Sequence, residues 1–154
     1  ASCAVENATL EVTRATVTLP GRAARRDGIC GKWKAEKADE DSTTWSLESR
    51  LIEGYLRHEA LPYPQESREY GRRVLERTLG ASKASEVTLE TEERRVRATT
   101  TRPNGAIEMT DTWMFVAMGE HAWTLQLSTP SRLVSDNEAT IEEILDSLGI
   151  ADAS

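Results

Sequence analysis

Apolar positions along the chain change period several times, and each change predicts an element or its end. From Thr9 to Leu19 the alternation runs in two phases, with Leu10 and Val12 in one and Ala15, Val17 and Leu19 in the other. A continuous strand keeps one phase, so a bulge or tight turn is predicted near Arg14. Pro20-Gly21 closes this unit, and 21–31 reads as a loop rich in Arg and Gly. Ile29 to Lys37 reads as a short strand before the acidic turn Asp39-Glu40-Asp41. Thr43 to Arg57 starts with strand alternation at Trp45 and Leu47, then runs on as an irregular segment through Leu51, Ile52, Tyr55 and Leu56.

A helix is predicted from Gln65 to Leu79, where Tyr70, Val74, Leu75 and Leu79 recur at helical spacing. Pro64 suits the first turn of that helix, where its missing N–H is harmless, and Gly80 suits its C-terminal stop. Glu69 with Arg73, and Arg72 with Glu76, have the spacing of i,i+4 ion pairs. An antiparallel meander is predicted next. Val87 and Leu89 lead to the corner Glu92-Glu93-Arg94, and Val96, Ala98 and Thr100 lead to the hairpin turn Pro103-Asn104-Gly105. Ile107, Met109, Trp113 and Phe115 then give one apolar face, Met118-Gly119-Glu120 turns the chain, and Trp123, Leu125 and Leu127 return. Ser135 and Glu138 have capping-box spacing before a final helix carrying Ile141, Ile144, Leu145 and Leu148. The expectation is one α+β domain over 1–154, a half-buried antiparallel sheet with two helices on one face.

Composition narrows the role. Net charge is −7, which disfavours nucleic acid and non-specific attachment to anionic lipid, since both need a positive field. No apolar stretch approaches the ~20 residues of a membrane span, so no transmembrane segment is expected. Two cysteines, Cys3 and Cys30, suggest a single disulfide in an oxidising compartment. It would tie down the N-terminal strand and loop region, residues 1–30, and restrict the unfolded chain by about 3.5 kcal/mol. Lipidation of Cys3 as the end of a lipoprotein signal, and two free thiols, are the rival readings. The first two imply export.

Candidate chemistry is sparse. His58 and His121 are the only histidines; both read as partly exposed polar residues, and no metal-ligand spacing accompanies them. No nucleophile elbow, phosphate loop or calcium loop is present, so neither catalytic residues nor a cofactor or metal is expected. Arg68, Arg72, Arg73 and Arg77 on the first helix, with Trp33 between two lysines, form the candidate partner surface. The plainer reading of these arginines is a charge-paired helix face. Trp45, Trp113 and Trp123 fall at strand positions and read as core.

Leu19-Pro20, Leu79-Gly80, the run from Trp123 to Pro130 and the terminal run from Ile144 to Leu148 together resemble the PsbP-like superfamily, across roughly residues 10–149. That superfamily includes exported proteins, lipoproteins and adaptor chaperones. The resemblance implies a twisted antiparallel sheet flanked by helices, and binding rather than catalysis; it carries over no site residues. The leading expectation is therefore an exported, non-catalytic binding or accessory protein of the cell envelope, soluble or lipid-anchored, acting on a protein or small ligand. The alternatives are an intracellular adaptor chaperone for a secreted effector and a carrier of a small apolar ligand, which would need a deep apolar pocket between sheet and helix.

Overall fold

The structure is a computed structural model that describes residues 6–151. Strands β1 (Ala8–Val12) and β2 (Ala15–Leu19) form a hairpin in which Val12 faces Ala15. The two residues between them, Thr13 and Arg14, both have positive φ, 31° and 65°. The phase change at Arg14 is thus a two-residue turn of the kind whose twist matches the flanking strands. Segment 21–31 contains a 3-10 turn, Gly21–Ala24, and a small hairpin of β3 (Arg25–Arg26) and β4 (Ile29–Cys30) around Asp27-Gly28. The expected strand from Ile29 to Lys37 is therefore two strands: β4, and β5 (Lys34–Asp39) beyond Trp33.

The stretch expected to become irregular is regular. β6 (Ser42–Leu47) and β7 (Ile52–Ala60) pair antiparallel around a 3-10 turn, Glu48–Arg50. Leu51 completes that turn in the left-handed region at φ 54°. No Gly, Pro or Asn marks the turn, which is why alternation alone lost it.

Helix α1 spans Ser67–Leu79, so Pro64 precedes the helix instead of occupying its first turn. Gly80, at φ 90°, caps the C-terminus of α1 as expected, and the chain then turns into a second helix, α2 (Ala81–Glu86). Arg72 does not pair with Glu76. Its guanidinium reaches across that corner to the carbonyls of Ala84 and Val87, closing the end of α2. The meander follows as β8 (Glu90–Glu92), β9 (Arg95–Asn104), β10 (Ile107–Met118) and β11 (His121–Pro130), with Val87 and Leu89 lying before the first strand. Helix α3 (Val134–Ser147) has Leu133 at its N-cap and no side-chain cap, so Ser135 and Glu138 do not form the expected box. β12 (Gly149–Ile150) then pairs with β2.

The main sheet has seven antiparallel strands in the order β5-β6-β7-β11-β10-β9-β8. Its helices do not share a face, which corrects the one-sided layer expected from alternation. Register shows why. Trp113 lies opposite Gln126 and Phe115 opposite Thr124, whereas Met114 lies opposite Leu125 and Val116 opposite Trp123. Directly opposed residues share a face, so Trp113 and Phe115 point away from Trp123 and Leu125. On one face Tyr70, Val74 and Leu75 of α1 pack over Trp113, Phe115, Val96 and Ala98. On the other, Ile141, Ile144 and Leu145 of α3, with Val12, Val17 and Leu19 of the hairpin, pack over Leu56, Met114, Trp123, Leu125 and Leu127. The centre of the sheet is thus buried on both sides, and each fully buried Leu or Ile contributes about 1.5–3 kcal/mol. Ile107, counted among the apolar face, is exposed at the strand end.

Two glycines set close approaches. An added Cβ on Gly71 would come within 2.7 Å of the Phe115 ring, so this glycine lets α1 lie low on the sheet. Gly54 does the same for Trp45, whose indole crosses directly over it. Among the described residues no helix is long and apolar enough to cross a membrane.

Candidate functional site

A cluster of titratable groups lies where β7, β11 and the β5–β6 turn meet. β7 alternates strictly: Ile52, Gly54, Leu56 and His58 are buried, while Glu53 and Arg57 are exposed. His58 is the last inward position of that series, 8% exposed, and it corrects the expectation of a partly exposed residue. A buried imidazole must satisfy both ring nitrogens, and it does so in a line. Its Nδ1 donates to the Asp41 carboxylate at 3.0 Å, and its Nε2 meets Nδ1 of His121 at 2.9 Å. The two rings stack at 5.1 Å, and both lie against Trp123. Pairing of β11 with β7 places His121 opposite Ala60 and Trp123 opposite His58, so residues 63 apart in sequence become neighbours.

The turn of the N-terminal hairpin is bound to the same line. Thr13 donates its hydroxyl to Asp41 at 3.1 Å, and the Trp123 indole N–H donates to the Thr13 carbonyl at 3.0 Å. Arg14 places its guanidinium over the Trp123 ring at 5.6 Å. Asp41 is anchored through its backbone too, accepting the His58 amide at 2.7 Å. Hydrogen bonds from His58 and Thr13 hold the Asp41 carboxyl below the usual carboxylate range. The array Asp41–His58–His121 opens at His121 onto a groove of about 920 Å³, bounded by Arg14, by the start of α1 and by the β8–β9 and β10–β11 turns.

The arginines expected to present a partner surface are each engaged within the fold. Arg68 donates to the Leu89 carbonyl at 3.0 Å and to Thr91, and Arg72 holds the end of α2. Arg73 bonds the Tyr63 hydroxyl, lies over that ring at 5.5 Å and stands 3.9 Å from Glu69. Arg77 makes a two-point pair with Glu59, which lowers the carboxyl and raises the guanidinium. Trp33 is not an exposed indole. It is half-buried, packs beside Leu47 and Ile52, and donates to the Pro20 carbonyl at 2.9 Å. Cys30 lies on the exposed β4, and Cys3 is outside the described residues.

A second groove, about 730 Å³, lies between α1–α2 and β9. Leu79, Val87 and Ala98 line it together with Lys83, Glu86 and Arg97, so its walls are mixed and not the apolar pocket a lipid-like ligand requires. Among the described residues, no three His, Cys, Asp or Glu side chains converge as metal ligands.

The missed group, His58, did carry a sequence signal. It continues the phase of Ile52, Gly54 and Leu56, but that phase is readable only once β7 is recognised as a strand.

The sequence matches no family model and no curated protein. Solved structures do resemble the fold. A crystal structure from Bacteroides thetaiotaomicron VPI-5482 aligns with a TM-score of 0.59 at 9% identity, covering 90% of this chain and 46% of that one. The chain thus spans a little under half the length of that protein. The solution structure of cyanobacterial PsbP (CyanoP) from Synechocystis sp. PCC 6803 aligns with a TM-score of 0.58 at 12% identity, covering 97% of this chain and 95% of that one. At such identities the likeness shows architecture, and the architecture is PsbP-like.

Proposed function

We propose that this chain, built on the PsbP-like fold, is an exported, non-catalytic binding or accessory protein of the cell envelope. The observation that carries the export reading is the position of Asn7 relative to Cys30. The Gly21 amide donates to the Asn7 side chain at 2.8 Å, and the Gly31 amide donates to the Ala24 carbonyl at 2.8 Å. Gly21 and Ala24 belong to one 3-10 turn, so Asn7 and Cys30 lie at the same end of the molecule. Cys3 precedes Asn7 by four positions in the sequence, a reach of up to about 13 Å, which suits a Cys3–Cys30 bridge. A lipid on Cys3 would use the same end as its anchor, an arrangement that also implies export.

The binding reading draws support from how polar groups are used. Both nitrogens of the buried His58 are engaged, the α1 arginines are committed to carbonyls and carboxylates, and the open features are grooves of mixed character. Such grooves suit a polypeptide or polar ligand better than an apolar carrier's cargo. Fractionation of cells expressing the natural full-length protein, with thiol labelling under denaturing conditions, tests the proposal. The expected result is an extracytoplasmic chain without reactive thiols before reduction. A cytoplasmic chain with two reactive thiols would overturn it in favour of an adaptor chaperone.

A further inference from the structure

The contact between the two histidines determines which atoms carry hydrogen. At 2.9 Å between His58 Nε2 and His121 Nδ1, one hydrogen lies between the rings, neither none nor two. A second hydrogen is held at His58 Nδ1, because the carboxylate of Asp41 only accepts. When both rings are neutral the pair has just these two. The shared hydrogen then comes from His121 Nδ1, and His121 Nε2 is a bare acceptor. When the pair takes up one proton, the third hydrogen has a single place to go. Whichever ring carries the charge, His121 Nε2 becomes an N–H donor. A further proton would put two hydrogens into the contact and break it.

Proton uptake therefore changes one hydrogen-bonding atom, and it belongs to the residue that lines the groove. Arg14 lines the same groove, its guanidinium held over Trp123 and, among the described residues, without a carboxylate within salt-bridge distance. The other charges facing the pair are accounted for. Behind it are Asp41 and, acting on Asp41, Arg57. Glu59 of β7 is turned to Arg77 and Tyr70. Across the groove, Arg68 is tied to Leu89 and Thr91, and Arg94 lies in the β8–β9 turn. Glu66, Glu93 and Glu120, the last adjacent to His121 in the chain, also line the groove.

The geometry points to His121 Nε2 and the Arg14 guanidinium as a two-point site for a carboxylate of a peptide ligand, a site that forms when the histidine pair takes up one proton. It rests on the reading of the chain as a binding protein and names the chemistry that the groove recognises. A bare Nε2 lone pair repels a carboxylate oxygen; an N–H on a charged pair makes a charge-assisted hydrogen bond to it. Binding and proton uptake then promote one another reciprocally.

The test is imidazole ¹⁵N NMR on the full chain between pH 5 and 8.5 at constant ionic strength, alone and with acetate. N-acetylglycine serves as a chain-terminus probe and N-acetylglutamyl amide as a side-chain probe. On acidification His121 Nε2 is expected to change from an acceptor-type to an N–H-type signal, while His58 Nδ1 stays N–H throughout. Each bound probe is expected to raise the midpoint of that change, its affinity falling about tenfold per pH unit above the midpoint. Whichever of the two peptide probes moves the midpoint further identifies the source of the carboxylate. Arg14→Gln is expected to weaken binding several-fold with the His58 signal unmoved. An N–H at His121 Nε2 across the whole range, a midpoint that no probe moves, or undiminished pH-dependent binding in His121→Gln would overturn the site. These readouts are independent of compartment, so failure of the export reading and failure of this site are told apart.

Discussion

Substituting Gly54 by Ala tests the packing on which the hairpin side of the sheet depends. Gly54 is an inward position of β7, opposite Trp45 on β6 and Leu127 on β11. A Cβ built there would lie 2.1 Å, 2.2 Å and 2.4 Å from Cε2, Nε1 and Cζ2 of Trp45. Carbon atoms in contact need about 3.5 Å or more, so the ring must move by more than 1 Å. Trp45 is only 3% exposed and packs in the core shared with the hairpin and α3, so it has little free space to enter. Overpacking of this kind costs about 1–3 kcal/mol. Loss of glycine freedom in the unfolded chain returns about 0.4–1 kcal/mol, so the middle of the two ranges leaves a net loss of about 1–2 kcal/mol. For a chain of this length that lowers Tm by roughly 2–8 °C, and urea unfolding should show a lower midpoint with an unchanged slope. A smaller ring relieves the overlap, so Trp45→Phe combined with Gly54→Ala should cost less than the sum of the single changes by more than about 0.5 kcal/mol. A Gly54→Ala protein as stable as the parent, or strictly additive costs, would refute the account of how β6 and β7 meet.

Two further outcomes concern pH. Burial raises the Tyr70 hydroxyl to about 12, with Thr124 at 2.9 Å as its hydrogen-bond partner. The unfolded phenol loses its proton near 10, so stability is full below pH 10 and falls as pH rises towards 12, by up to about 3 kcal/mol; Tyr70→Phe should flatten that alkaline limb in denaturant titrations. On the acid side, the two-point contact with Arg97 lowers the Glu142 carboxyl, tying α3 to β9. Its contribution is present above the unfolded value near 4.3 and is lost as pH falls through the lower folded value. Glu142→Gln should therefore lose stability at neutral pH and show a shallower decline below about pH 4; an unchanged acid limb would contradict the pairing.

What the linear sequence could determine was local. Alternation and turn residues were enough to locate β9 to β11 and the hairpin at Arg14, because period and turn chemistry are properties of neighbouring residues. Helical spacing located α1 and α3 within a few residues. The α+β class followed from the order of those elements. Facing was not local. Trp113 and Leu125 both alternate, yet they look to opposite sides, since only strand register states which phases of two strands coincide. The site was hidden for the same reason. Asp41, His58 and His121 come from a turn and two strands, and their distances of 3.0 Å and 2.9 Å exist only after β7 pairs with both β6 and β11. The candidate arginines were correctly placed on one helix, but their partners, such as Glu59 for Arg77, are set by how α1 lies on the sheet. Tertiary pairing, which brings distant residues within hydrogen-bonding range, decided the chemistry; local periodicity had decided only the elements that carry it.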